Sequence, residues 1–397
     1  MGKGQEQRVS KAVVPNPSAL SRSTLAKDAV MMGISIVSAL VCGAIQKGHV
    51  SGVQSVPAGV ADYVSADPWE SLAGVAVFIL YLSMAGNTPI GYLFCVFHSV
   101  VTDAQWASFC ARITSRFGDI YPAADWSQGY SGLASIFGIW AIFLVWYPAH
   151  GLILLPLDLA AVSTGTKEYK IQFTKTFDPK RLPGIVLNIG INILLTTPLF
   201  LAAVCLWCLP RGADYMFGLD FNLTALPSRV YMLKMFPALL AVDEVLFFYG
   251  HWMLHHKSVY SWCHKIHHEF KAPIGLVAIY SHPFEMLVSN LIPFAAGLIL
   301  FKCHLFLAYI WTIGAIMGTQ THHCGYRLPW IAFFDHQPNF HDFHHEKFRC
   351  NYGNIGLLDK LHGTDAMFEE RKKETWKMAA KAAKVLDPRE GNKAKAE

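Results

Sequence analysis

From residue 184 to residue 209 the chain carries no charged side chain. A helix needs about 20 apolar residues to cross the hydrocarbon core of a bilayer. That run is therefore a strong candidate for a membrane span, and the whole chain points the same way. Of its 397 residues 53% are hydrophobic and 15% charged, where a typical soluble domain has about 25% charged. Too little charge is available to cover a folded surface in water, so lipid is the simpler solvent.

Other apolar stretches extend this reading. Residues 29–46 and a segment within 71–101 are further candidates, the second with Asn87, Thr88 and Pro89 in its middle. Residues 131–162 are uncharged up to Asp158. They predict either one span ending near Pro148 or a re-entrant pair broken by Pro148 and Pro156. Residues 284–318 predict a helical hairpin turning near Lys302. Residues 236–254 are apolar but contain Asp243, Glu244 and His251. Ionisable groups are costly in hydrocarbon, so this segment reads as one that leaves the lipid for a polar region. The polar stretches 102–130 and 163–182 read as linkers, and no internal repeat is visible. The fold class expected is an all-α integral membrane protein.

Charge is concentrated at the ends. Residues 1–28 hold five Lys/Arg against two acids, and residues 371–397 hold nine against four. Basic ends around an apolar body suit cytosolic tails. No aromatic-basic interleaving accompanies them, which argues against nucleic acid as a partner. Nine cysteines are scattered, and only Cys205 and Cys208 form a C-x-x-C. They read as small buried hydrophobes rather than a disulfide framework or zinc ribbon.

Histidine is the most unevenly distributed residue. Fifteen of the 18 lie between residues 251 and 362. His251, His255 and His256 form one group, His264, His267 and His268 a second, and His341, His344 and His345 a third. On a helix, positions i, i+3 and i+4 share a face, so each group predicts a stripe of imidazoles. With His251 and His255 but not His256 on the first face, the eight ligands exceed what one tetrahedral zinc needs, and a dinuclear site is the economical explanation. His282 in YSHP and His323 in THHCGY lie between the groups as further candidates. His49, His98, His150 and His304 stand alone and read as ordinary polar residues, as do His336 and His362. Imidazole by itself leaves zinc, iron and copper open.

At these positions the chain resembles the sterol desaturase and fatty acid hydroxylase superfamily of membrane di-iron oxygenases, marked by H-x3-4-H, H-x2-3-H-H and a second H-x2-3-H-H. HHKSVYSWCHKIHHEFKAPIG, YSHPFE, HHCGYRLP and HDFHHEKFRCNYGN followed by DKLHGTD are similar to its sterol C4-methyl oxidase branch, as is EYKIQF at residues 168–173. The resemblance covers roughly residues 140–370 in the sense of a distant family match. It implies two irons held by His251, His255, His264, His267, His268, His282, His323, His341, His344 and His345. It also implies a cytosolic helical cap beneath the membrane helices, and electrons from a separate cytochrome b5-type donor with its reductase.

Two departures stand out. Trp252 follows the leading histidine where the family has Arg, and L-D-K-L-H-G-T-D at 358–365 replaces W-D-R-I-F-G-T-D. The resemblance accordingly leaves two O2-dependent activities, oxidation of a sterol C4-methyl group or epoxidation of squalene by an alternative squalene epoxidase. A membrane protein that binds metal without redox chemistry, or a zinc hydrolase, is the reading from a different class. Asp342 and Glu269 are candidates to orient imidazoles. The expected organisation is a cytosolic tail at 1–28, a membrane region at 29–235, a catalytic domain at 236–370 and a basic tail at 371–397. Lys393 and Lys395 stand at the spacing of a K-x-K-x-x retrieval signal, which points to the endoplasmic reticulum membrane with both termini cytosolic.

Overall fold

Ser228 starts the helix that carries the first histidines. Its side chain accepts a hydrogen bond from the Tyr231 N–H, satisfying one of the amides a helix start leaves bare. In the computed structural model, which describes residues 101–117, 132–159, 169–208, 219–220, 225–327 and 337–385, ten helices set the frame. They are α1 (Asp103–Phe117), α2 (Gly132–Leu154), α3 (Leu182–Ile191), α4 (Thr197–Cys208), α5 (Arg229–Leu254), α6 (Ile292–Leu300), α7 (Leu305–His322), α8 (Asn339–Lys347), α9 (Leu357–His362) and α10 (Ala366–Val385). Among the described residues β-structure is limited to isolated bridges, Lys170 with Tyr326 and Asp220 with His304. The expected segments 29–46 and 71–100, and the last residues of the basic tail, lie outside the described residues.

Among the described residues, three helical stretches are long and apolar enough to cross a membrane: Gly138–Leu159, Pro179–Val204 and Pro283–Leu300. Their composition shows which side faces lipid. Val186, Leu187, Leu194, Leu195 and Leu199 are exposed along the second stretch, and Val145, Leu152 and Ile153 along the first. In water such a surface would be an aggregation liability; in lipid it is the favourable one.

The core lies where α2 packs on α7 and α5 packs on α6. Phe143, Leu239, Phe294, Leu298 and Trp311 fill it, and the Trp311 indole donates to the Phe294 carbonyl. Gly297 permits the close approach of α6 to α5, since a Cβ there would fall 2.8 Å from a Leu239 methyl. The long apolar helices therefore stand side by side, and the ends of α5 and α7 deliver their histidines to one place.

Several expectations change. Residues 103–117, within a stretch read as a linker, form α1. Thr102 and Gln105 make a reciprocal capping box, and Trp106 packs edge-on against Phe306. That T-x-x-Q signature is visible in the sequence, but the polar residues around it hide the helix. Pro148 does not end α2. The helix runs through it to Leu154, and Pro156 opens a separate turn at Pro156–Leu159. Pro148 lies on the exposed side. The hairpin near Lys302 is present: α6 ends at Leu300, Lys302 adopts a left-handed φ of 46°, and α7 begins at Leu305.

Candidate metal centre

α5 ends at the site. His251 lies in its last turn, and His255 caps its C-terminus with its N–H on the His251 carbonyl. His256 turns away; its Nδ1 accepts from Ser258 N–H and caps the short helix Lys257–Tyr260. The second group departs from the helix its spacing predicts. Residues 261–266 are turns, and only His267–Glu269 form a 3-10 turn. His323 caps the C-terminus of α7. His341, His344 and His345 sit together on α8, as their spacing requires.

These segments bring nine imidazoles into two groups. His251, His255, His264, His268 and His344 form one, and His267, His323, His341 and His345 the other; within each group the ligand atoms lie within 4.8 Å of one another. In the first, Nε2 of His264 is 3.1 Å from Nε2 of His251, 2.9 Å from that of His255 and 3.0 Å from that of His268. In the second, His323 Nε2 is 3.3 Å from that of His267 and 2.9 Å from that of His341.

These distances bear on occupancy through the proton on each ring. A carbonyl only accepts, so an imidazole nitrogen bonded to one carries the hydrogen. His251 donates through Nδ1 to Tyr352 O, His267 to Tyr280 O, His323 to Thr319 O, His344 to Cys350 O and His345 to Phe270 O. In a neutral ring the other nitrogen is then a bare lone pair. Burial keeps the rings neutral, pushing His251 down to about 3 and His267 to about 4, and holding His268, His341, His344 and His345 well below the ordinary value as well. His267 and His323 thus turn two bare Nε2 lone pairs on each other at 3.3 Å, a contact that repels unless a cation lies between them. Nitrogens at a metal–N distance of about 2.0–2.1 Å would be separated by roughly 2.9–3.4 Å. The donor set thus fits a metal in each group.

His282 is not brought to either group. In Ser281-His282-Pro283 it caps the turn Pro283–Glu285, its Nδ1 accepting from Phe284 N–H, and its ring packs on Trp262. The expected ligand His282 therefore stands outside both clusters: a proline at N1 starts a helical turn, and the imidazole is used as its cap.

The carboxylates also redistribute. Glu269 pairs with Arg181 at 2.6 Å, and Asp342 accepts from the Gln172 side chain. The carboxylate set against an imidazole is Glu285, whose Oε1 lies 2.9 Å from His264 Nδ1 with both side chains buried. Only the E of YSHPFE marks it, within an apolar run. Glu244 turns out to be a loop anchor. Its two oxygens accept from the N–H groups of Asn354, Ile355, Leu357 and Leu358. Asp359 accepts from Tyr352 and Gly353 N–H. A Cβ on Gly353 would fall 2.7 Å from both carboxylates, so only glycine fits between them. Trp252 stacks on Tyr352, and His362 stacks on Phe248 while its Nε2 meets the Tyr249 hydroxyl.

A cavity is lined by residues of α2, α5, α6 and α7 and by His323 and His341. Phe143, Leu240, Phe247, Phe294 and Ile316 give it mostly apolar walls. It reaches the four-histidine group.

Residues 236–364 match the sequence profile of the family described as fatty acid hydroxylase. A Dictyostelium discoideum protein named "Putative methylsterol monooxygenase" is 33% identical over 216 residues, 53% of this chain and 78% of that protein. The chain belongs to the fatty acid hydroxylase family. Methylsterol monooxygenase 1 of Rattus norvegicus is 29% identical over 256 residues, covering 61% of this chain and 82% of the relative. Fatty acid hydroxylase domain-containing protein 2 of Homo sapiens is 43% identical over 147 residues, 37% of this chain and 43% of the relative. The chain therefore spans less than half the length of that last relative. No solved structure matches it. The fatty acid hydroxylase match takes in all nine clustered histidines, from His251 to His345.

Proposed function

We propose that this chain is a membrane oxygenase that holds two irons in the two histidine groups and uses O2 to oxidise a C4-methyl group of a sterol. The observation that carries this reading is the pair of buried imidazole groups with lone pairs turned inward, one of them at the end of an apolar cavity. Fatty acid hydroxylases and methylsterol monooxygenases are oxygenases, and the longer matches are to proteins bearing the second name.

In each hydroxylation a C–H bond becomes C–OH and the second oxygen atom leaves as water, consuming two electrons and two protons. Bound iron supplies the redox chemistry that side chains lack. The chain does the rest. The Nδ1–H donors to Tyr352, Tyr280, Thr319, Cys350 and Phe270 fix each ring's tautomer and direction. The cavity walls hold the lipid and exclude water. The electrons come from a separate cytochrome b5-type protein and its reductase, and the chain resides in the endoplasmic reticulum with both termini in the cytosol.

Two yeast-type sterol mutants test the reading, one blocked in C4 demethylation and one in squalene epoxidation, each expressing this chain with its sterols profiled. Rescue of the first alone is expected. Rescue of the second alone would replace the sterol with squalene. Purified protein grown with iron should hold two irons, and two zincs with no iron would remove the oxygenase.

A further inference from the structure

Two polar side chains in the cavity wall are buried and without a partner. Nε2 of His322, in the last turn of α7, has no hydrogen-bond partner, and the residue is 9% exposed. Oγ of Ser289 has none either, at 4% exposed. Both residues line the cavity. Ser289 stands on the π-helical turn Met286–Leu291, a distortion that often marks functional sites.

Several other polar groups around the same cavity are satisfied by the protein. Asp243 accepts from the Asn354 side chain, Gln337 bonds Asn354 O and His341 N–H, and the Tyr147 hydroxyl bonds Leu276 O and Ile279 N–H. Buried polar groups are normally paired, and these two buried, unpaired ones line the same cavity. His322 is outside both metal groups. Successive helical side chains point about 100° apart, so His323 turns to the four-histidine group while His322 turns elsewhere on the same cavity.

We propose that His322 and Ser289 bind a hydroxyl of the lipid substrate and position the adjoining carbons at the four-histidine group. An alcohol both donates and accepts, so a lipid hydroxyl in this cavity is a partner that either an imidazole nitrogen or a serine hydroxyl can take. On a sterol the hydroxyl-bearing carbon C3 adjoins C4. An anchor at His322, next in the chain to His323, brings the C4 substituents to the metals. A hydrocarbon such as squalene would leave both atoms unpaired. This inference rests on the cavity being the lipid site of the proposed oxygenase.

The test uses the full-length iron-loaded protein in lipid nanodiscs, without O2 or reductant, so that binding is read apart from turnover. The probes are a 4,4-dimethyl sterol with its 3-hydroxyl, the same sterol with hydrogen in its place, and squalene. Wild type is expected to bind the hydroxysterol at least about tenfold more tightly than the deoxysterol. His322→Leu should bring the two within about twofold while keeping its full metal content, and His322→Gln should recover part of the preference. Ser289→Ala should lose part of it, and carries the test if His322→Leu does not accumulate. Equal binding of the two sterols by wild type, tighter binding of squalene, an undiminished preference in both variants, or loss of a metal from His322→Leu would each overturn the proposal. Discrimination in binding with no oxygenated product from any lipid on reduction would instead leave the anchor standing and remove the oxygenase reading.

Discussion

The two histidine groups differ in three ways. One has five imidazoles, including the half-buried His255, and the other has four, all buried. The cavity touches the smaller group through His323 and His341. Their supports differ as well. In the larger group His251 and His344 lean on the carbonyls of Tyr352 and Cys350, in the loop after α8. In the smaller group His267 and His345 lean on Tyr280 and Phe270, in the segment after the second histidine box. Access and ligand number go in opposite directions. A metal with fewer protein ligands keeps room for other molecules, as catalytic sites do, and here that group adjoins the cavity.

The sharpest way to break this contrast is to remove one ligand from each group. His267→Ala leaves three imidazoles beside the cavity. It is expected to abolish turnover and reduce bound metal to about one per chain, while the protein still inserts in membranes; full turnover would end the assignment. His255→Ala leaves four in the other group, and activity is expected to fall about 10- to 100-fold. Metal analysis and lipid product profiles read both. If the two variants behave alike, the groups are equivalent and the contrast fails.

Support is the next largest effect. Glu244→Ala strips an acceptor from four backbone amides of the loop next to Tyr352. It is expected to cost about 2–4 kcal/mol in denaturant unfolding and to release metal from the five-histidine group first. Loss of both metals together would show that the supports are shared.

Acid acts on both groups. Burial lowers the imidazoles from an ordinary value of 6.5. Below about pH 6.5 the unfolded chain takes up protons that the folded chain refuses, so the metal-free protein loses stability as pH falls. Its melting temperature should drop by at least about 5 °C between pH 7.5 and 5.5, and bound metal should reduce that drop. An unchanged melting temperature would show that the rings are not buried as neutral groups.

Smaller still is Glu285→Gln, which removes the anion set against His264 Nδ1. Metal affinity is expected to fall about 10-fold in the five-histidine group alone, measured by competition with a chelator. Least of all is His282→Ala. A residue that only caps a turn should leave metal content unchanged and activity within about twofold; loss of a metal would return it to the ligand set.

The histidine boxes were legible because a metal demands several donors, and the chain supplies them as short clusters. Their secondary structure was less legible. HKIHH has the spacing of a helix face yet folds as turns and a 3-10 step, with His267 held by the Tyr280 carbonyl 13 residues on rather than by a local helix. His282 looked like a ligand because its neighbours are motif residues, and the adjacent Pro283, the local sign of a helix start, was outweighed by them. Glu285 was hidden in an apolar run, and Glu244 read as a sign of leaving the lipid when its partners lie more than a hundred residues away. α1 was missed because its apolar face is narrow and its capping box sits among polar residues.

The sequence by itself determined the solvent and the donor inventory. Long uncharged runs can only be buried in lipid or core, and clustered imidazoles need a metal to make sense of them. Tertiary structure alone decided how the imidazoles divide into five and four, which carbonyl orients each ring, and which group the cavity meets. The physical reason is distance along the chain. His268 meets His344 across 76 residues, and His267 meets His323 across 56. No local spacing encodes such pairings; the packing of α5, α7 and α8 does.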